Sequence, residues 1–476
     1  MPLFVGAEYI VMPMAKNETD DTCWLVLSNV PTGTVIGLDA NVWRIGRHFR
    51  GIKDIPQGLH YMFYRLDLLT HHLTLGDPFS AVRENAVSGV RCSQFINLTK
   101  PCIVKKKWIS DHEEFQDEPE ADIDREILLS RPTEISMFLA KYPKERLADW
   151  ISLSSHLTAS IADRLQPTGR YIYSCAQFQS EKSNSQDRAS VPIPERLLRG
   201  RVDSIAPESL AECEAQLPAL KTMPETDLRL TVLPAHPLYP AGASPTEISL
   251  HNMDQTYTLN ALLGQIETSI VASQPPMDSQ CSHGLSPAEA FLLGEIQFSF
   301  VKITAWNIYI SGEALEGWYH WRGILTLLAS CEKAISEHPH LYKALITCLY
   351  RELTFTGDET TEKKDNDDHG DDSLSMSDLF HPGSFDGWSQ RRPNDPAFLP
   401  HTLSRLFSNI AQASNNGDKA LMDLVDRAEG LRKSLERKFG VSLSSCIRPP
   451  EVTDTEGGVP LDAYNWDDDE APTLVL

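Results

Sequence analysis

Midway along the chain the apolar residues change period, from short β-like runs to helical spacing, and a polar stretch separates the two regimes. No single layer of secondary structure satisfies both patterns, so the sequence predicts two domains of different class, α+β overall. The first regime is built of β-branched and aromatic runs cut by Gly and Pro. Thr22–Ser28 is one run, Asn29-Val-Pro-Thr-Gly33 supplies turn chemistry, Thr34–Leu38 follows, and Gly58–Leu66 is apolar on both faces, as a covered strand would be. Val90–Leu98 and Ile103–Ile109, joined by Thr99-Lys-Pro101, read as a hairpin. A β-sandwich or barrel is expected, closed by a helical stretch near Thr133–Leu165.

Polar, Pro-punctuated text from 176 to 230, including SEKSNSQDRAS, reads as a linker. Beyond it, Ser244-Pro-Thr-Glu247 and Ser286-Pro-Ala-Glu289 each place Ser at an N-cap, Pro at the first helical position and Glu three residues after the cap. The second leads into a long helix to about Ile310, with Gly312 as its break. Another helix runs through Trp318, Trp321, Leu325 and Leu328, and Pro339 opens a third through Leu341, Leu345, Leu349 and Leu353. A last helix carries Leu421, Leu424, Ala428, Leu431 and Leu435 on one face, with Arg437 and Lys438 at its C-terminal end, where cations suit the dipole. Short breaks imply antiparallel neighbours and a helical array. The partition is therefore 1–175 for the β-rich domain, 176–230 for the linker, 231–440 for the helical domain with an acidic insertion at 357–397, and 441–476 for an extended acidic tail.

The net charge of -23 is concentrated. His112–Glu126, Gly357–Asp378 and Glu451–Leu476 carry almost all of it, which leaves the remainder near neutral and argues against a face that tracks phosphates. The one basic cluster of sequence, Lys105-Lys106-Lys107, reads as a solvated strand end or turn. Nine scattered cysteines without a CxxC pair are expected to be reduced and mostly buried, which suits the cytoplasm and also the nucleus. No signal peptide is expected, and the most apolar stretch, Phe291–Ile310, contains Glu295, Gln297 and Lys302, so it does not read as a membrane span.

Phosphate loops, GxGxxG turns, nucleophile elbows and HExxH pairs are all missing from the sequence. His71-His72 and His338-Pro-His340 are too few to hold a metal and read as surface or capping residues. No catalytic residue, metal or cofactor is therefore assigned, and the aromatics of Phe298–Trp321 read as core. An interaction protein is the expectation.

Three passages carry a resemblance. Pro31-Thr-Gly33-Thr-Val-Ile-Gly37-Leu-Asp39, Trp43 and the run Gly46–Arg65, with Gly51, Pro56, Gly58 and His60, resemble the N-terminal signature of the A1-cistron splicing factor family. Trp150–Pro167 is the second passage. The third comprises Tyr239–Ile248 with Pro245, Met253-Asp254, and Leu292–Val301 with Glu295. Gly46-Arg-His-Phe49 and Pro56-Gln-Gly-Leu-His60 depart modestly from the family pattern, and the 357–397 insertion departs more.

The resemblance implies a β-rich domain followed by a VHS-like helical array, and no catalysis. It implies assembly of the U5 small nuclear ribonucleoprotein through its large scaffold protein, gripped at RNase H-like and MPN-type domains in the cytoplasmic precursor. U5 RNA would be contacted only through proteins, no membrane is involved, and the chain alone would be a monomer. The signature residues read as scaffold rather than contact. The tail, Asp467-Asp-Asp469-Glu470-Ala471-Pro472-Thr473-Leu474-Val475-Leu476, resembles the family's acidic ending and suits strand addition to a partner's sheet. Ser375 and Ser377, in acidic surroundings, have the composition of acidophilic kinase sites. A VHS-like adaptor unrelated to splicing, or an enzyme without a known motif, are the competing readings.

Overall fold

The computed structural model describes residues 22–39, 41–65, 91–99, 102–110, 113–118, 136–173, 223–272, 284–304, 315–354, 398–414 and 419–444. The 357–397 insertion, the tail from 445 on, Ser375, Ser377 and His71-His72 lie outside them.

The N-terminal half forms two five-stranded sheets from β1 (Cys23–Ser28), β2 (Val35–Leu38), β3 (Asn41–Arg44), β4 (Gly51–Ile55), β5 (Gly58–Arg65), β6 (Arg91–Leu98), β7 (Ile103–Ile109), β8 (Glu114–Asp117), β9 (Leu139–Lys141) and β10 (Ile172–Tyr173). Their orders are β8-β7-β1-β4-β9 and β10-β6-β5-β2-β3. Inward residues of both, among them Leu25, Leu27, Ile36, Ile52, Met62, Ile96 and Phe115, make one core, as a sandwich requires. Alternation explains the faces: along β1, Cys23, Leu25 and Leu27 enter that core while Trp24 joins Ile103 and Leu139 in a separate cluster on the other face.

Three expectations are corrected. The β6 and β7 runs do not form a hairpin: β6 pairs with β5, and β7 runs parallel to β1 in the other sheet. The residues between the two runs include a proline, which has no N–H to give to a ladder. The stretch expected to be helical from Thr133 contains β9 and a 3₁₀ turn at Lys144–Arg146 before α1 (Leu147–Leu153) and α2 (Ala159–Leu165). Tyr142 and Pro143 interrupt the helical pattern, because the ring of Pro143 disfavours helical backbone at the residue before it. Finally, Lys106 is no solvated strand end. It is buried mid-strand on β7, where its Nζ donates to Gln94 Oε1 (3.1 Å) and Asp117 Oδ1 (2.6 Å).

The C-terminal half is a helical array: α3 (Pro245–Met253), α4 (Thr256–Ala272), α5 (Pro287–Thr304), α6 (Leu315–Ala329), α7 (Ala334–Glu337), α8 (Pro339–Thr354), α9 (Phe398–Ser414) and α10 (Lys419–Phe439). Both expected capping boxes form. Ser244 N–H donates to Glu247 Oε2 (2.7 Å) and Ser286 N–H to Glu289 Oε2 (2.6 Å), with each serine hydroxyl accepting in return. α5 is the central helix and packs against α2, α4, α6 and α8. From Phe291 to Val301 every residue is buried, Glu295, Gln297 and Ser299 included, so the helix is enclosed rather than amphipathic. No helix among the described residues is long and apolar enough to cross a membrane. All five described cysteines are buried and outside any disulfide.

One core joins the halves. The cluster that contains Leu157, Ile161 and Leu165 continues into Leu292, Ile296 and Phe298 of α5, and Phe95 of β6 stacks on Phe298 with ring centroids 5.2 Å apart. The approach is close because α5 carries Gly294, where a Cβ would stand 2.7 Å from the His156 carbonyl oxygen.

Candidate functional site

The signature residues of the first half converge on one buried polar cluster. Asp39 ends β2 in the left-handed region (φ 55°), a conformation that Asp tolerates better than most residues. Its Oδ1 accepts from the Tyr61 N–H (2.9 Å), and its Oδ2 accepts from His60 Nδ1 (2.7 Å) and the Tyr142 hydroxyl (2.7 Å). The remaining ring nitrogen, His60 Nε2, donates to the Pro56 carbonyl oxygen (2.8 Å). A carbonyl only accepts, so Nε2 carries a proton, and Nδ1 carries another toward the carboxylate. Burial alone would lower the His60 pKa, but the Asp39 charge and hydrogen bond more than offset this and leave it raised. Burial, then the Asp39 charge, pushes the Tyr142 phenol up.

An Asp–His–Tyr group resembles a proton relay in its members but not in its access. His60 is 1% exposed and both ring nitrogens are engaged by the protein, so neither can reach a ligand. The cluster therefore pins β2, β5 and the segment after β9 together. The other signature positions serve the same frame. Gly33 donates its N–H to the Ile45 carbonyl (2.8 Å), Gly37 pairs with Phe63 across β2 and β5, and Trp43 pairs with Ile36. At Gly51 (φ 134°) a Cβ would lie 1.9 Å from the Leu25 carbonyl oxygen, so only glycine fits. Gly58 opens β5 at φ 142°.

In the second half, the polar residues of α5 act as internal clamps. Glu295 Oε1 accepts from the Thr231 N–H (2.6 Å), which holds the extended segment before α3, while His320 Nε2 stands 3.0 Å away at ion-pair distance without hydrogen-bond alignment. Gln297 accepts from the His156 N–H (2.7 Å) and donates to Ser155 Oγ (3.1 Å), tying α5 to the loop between α1 and α2. Asp254 Oδ1 accepts from the Thr256 N–H (3.2 Å), the Thr256 hydroxyl (2.6 Å) and the Glu332 N–H (3.0 Å), knotting the α3–α4 junction to the turn after α6. His338 is not a free surface histidine. Its Nδ1 is 2.7 Å from Glu289 Oε1, which raises the His338 pKa chiefly through that hydrogen bond. Among the described residues no group of His, Cys, Asp and Glu is arranged to hold a metal.

α3 is the exception to this inward use. Pro245 opens it and Met253 ends it, yet it buries no residue: Leu250 is 59% and Met253 73% exposed. Tyr239 and Tyr257 add apolar surface beside it, and His251 packs on Tyr257. Met253, expected as scaffold, is instead solvent-facing, because a Met at a helix end carries no local sign of whether a neighbour covers it. The helix holds its place through its caps and the Arg405 donation to the Met253 carbonyl oxygen (3.0 Å). Replacing Ser244 with Ala is therefore expected to cost about 1 kcal/mol, confined to α3. Amide exchange of Ile248–Met253 should quicken about fivefold while global unfolding stays unchanged; unaltered exchange there would contradict the capping account.

Comparison with known proteins agrees with this architecture in both halves. Residues 21–167 match the family model described as the AAR2 N-terminal domain, and residues 230–444 match the AAR2 C-terminal repeat region. The chain is 31% identical over 340 residues to the protein AAR2 homolog of Macaca fascicularis, covering 71% of this chain and 77% of that one. It is 30% identical over 342 residues to that of Homo sapiens, with the same coverage. To the Caenorhabditis elegans homolog it is 23% identical over 418 residues, 87% of this chain and 93% of the other. The chain belongs to the AAR2 splicing factor family.

Proposed function

We propose that this protein is a non-catalytic assembly factor of the U5 small nuclear ribonucleoprotein and acts in pre-mRNA splicing. It binds the large U5 scaffold protein at its RNase H-like and MPN-type domains in the cytoplasmic precursor, and holds off the U5 helicase until the particle matures. The observation that carries the reading is the family match through both the β and the helical half, which an adaptor sharing only the helical array would not produce. Two further points support it. The polar signature residues Asp39, His60 and Glu295 are consumed inside the fold, whereas the signature helix α3 has no internal partner to bury. A protein that works by contact needs a rigid frame that presents such surfaces.

The test is affinity purification of the tagged full-length chain from cytoplasmic extract. Recovery of the scaffold protein and U5 RNA without the helicase is expected; recovery of no spliceosomal component would overturn the proposal. The tail supplies a second contact in this reading, through Asp469–Leu476. Truncation at Gly457 should weaken scaffold binding tenfold or more, about 1.4 kcal/mol, in a titration against the purified scaffold domains. Unchanged affinity would remove the tail from the interface.

A further inference from the structure

The two sides of the sandwich are finished differently. On one side the sheets are tied at their edges: the Tyr173 hydroxyl donates to Glu114 Oε1 (2.6 Å) and the Tyr171 hydroxyl to the Phe115 carbonyl. On the other side β3 and β9 are sheet edges among the described residues. β9 pairs with β4 alone, the Phe138 carbonyl accepting from the Arg50 N–H (2.9 Å) and the Tyr142 N–H donating to the Lys53 carbonyl (2.9 Å). Strand alternation then turns the N–H and C=O groups of Leu139 and Lys141 outward, away from β4.

This edge is basic, on a chain of net charge -23. Arg50 bonds to the β9 segment and Lys53 pairs with it, Lys141 lies on β9 and Lys144 in the 3₁₀ turn after it, Arg44 and Arg47 lie just before β4 in the chain, and the only acids within 44–54 and 141–145 are Asp54 and Glu145. Lys53 and Lys141 are direct register partners on neighbouring strands, an arrangement that costs stability unless an anion relieves it. Lys53 turns its Nζ to the Ser136 carbonyl and hydroxyl (both 2.8 Å). Beside the edge, Met137 is 76% and Phe138 42% exposed. The bases are separated in sequence, so the fold alone assembles them.

An acidic peptide that can add a strand fits such an edge, and the chain carries one. Beyond the last described residue, Ser444, the tail runs to Leu476; from Glu451 on it has eight acids and no base and ends Leu474-Val475-Leu476. Extended, it reaches about 100 Å, so every face of the molecule lies within its span. Its attachment keeps its effective concentration on the order of millimolar. We propose that the acidic tail docks in cis on the β9 edge, its carboxylates against Lys141, Lys144 and Arg47, and its terminal apolar residues over Met137 and Phe138. The tail is then held by its own β-domain until a partner displaces it. The proposal shares the tail with the proposed scaffold contact, but its test contains no scaffold, so each can fail alone.

The test is zero-length carbodiimide coupling of the full-length chain at micromolar concentration, read by mass spectrometry, with amide exchange at Leu139 and Lys141 alongside. Tail carboxylates should couple to Lys53, Lys141 and Lys144 in preference to Lys433 and Lys438. The two edge amides should be protected, and Lys141→Glu with Lys144→Glu should expose them at least about fivefold, as should high salt. Both lysines are exposed, so the variant keeps the fold; Lys433→Glu is the control and should change nothing. Coupling spread evenly over the lysines, coupling only between two copies, or edge amides indifferent to charge reversal would each overturn the proposal.

Discussion

Replacing Asp39 with Ala should destabilise the protein by about 3–5 kcal/mol, the cost of leaving a buried charge without its partner. The carboxylate has three donors, the Tyr61 N–H, His60 Nδ1 and the Tyr142 hydroxyl, all in the interior. Removing it leaves each unsatisfied, and Ala fits the left-handed backbone at this position less well than Asp. Asp39→Asn separates the contributions. Asparagine keeps the backbone preference and one acceptor, and lets His60 become neutral, so a smaller loss of about 1–3 kcal/mol is expected. The pH dependence is the sharper signature. The folded-state pKa of His60 lies above its unfolded value of 6.5, so the folded protein binds the proton more tightly. The stabilisation is complete below pH 6.5 and is lost as pH rises through the folded value. In Asp39→Asn that decline should vanish. Urea unfolding followed at pH 6 and pH 9 measures both effects; an Asp39→Ala protein within 1 kcal/mol of the parent at pH 6 would show that the ion pair does not hold the sandwich together.

What could be read in advance depended on whether neighbouring residues decided it. The capping boxes at Ser244 and Ser286 involve groups three residues apart, and they form as read. The helices through Trp321, Leu345 and Leu431 are set by spacing on one face, and they too are found. α9 has an equally regular stripe in Leu399, Leu403, Leu406 and Ile410, set by the same spacing. Strand pairing is another matter. β6 and β7 follow each other in sequence, yet β7 takes β1 as its partner through a parallel register that no local signal encodes. Lys106 likewise looked solvated because its partners, Gln94 and Asp117, come from other strands. The candidate site divides in the same way. Asp39 and His60 were visible as signature residues, but their joint role needs Tyr142, which lies 103 positions from Asp39 and belongs to no signature quoted for it. The basic β9 edge was invisible for the same reason: Lys53 and Lys141 meet only across the β4–β9 ladder.

The helical half offers a test independent of the sandwich, because Glu352 of α8 is fully buried with one bond to the rest of the core. Its Oε2 accepts from Trp321 Nε1–H (3.2 Å), and Oε1 has no hydrogen-bond partner among the described residues. Burial pushes its carboxyl up from 4.5 to about 8, so at neutral pH the folded protein keeps a proton that the unfolded chain has released. More protons bound in the folded state means that stability falls as pH rises through that interval, by about 1.4 kcal/mol per unit for one group. Glu352→Gln removes this titration while its side-chain oxygen still accepts from Trp321. The variant should be close to the parent near pH 4.5 and gain on it steadily, reaching an advantage on the order of 4 kcal/mol at pH 8. His60 and His338, whose raised pKa values also make stability decline with rising pH, are common to both proteins and cancel in the difference. Parallel stability curves for the two proteins from pH 5 to pH 8 would mean that water or a rearrangement relieves the buried carboxylate. A diverging pair would place a neutral Glu352 between α6 and α8 and explain how so enclosed an array tolerates an acid at its centre.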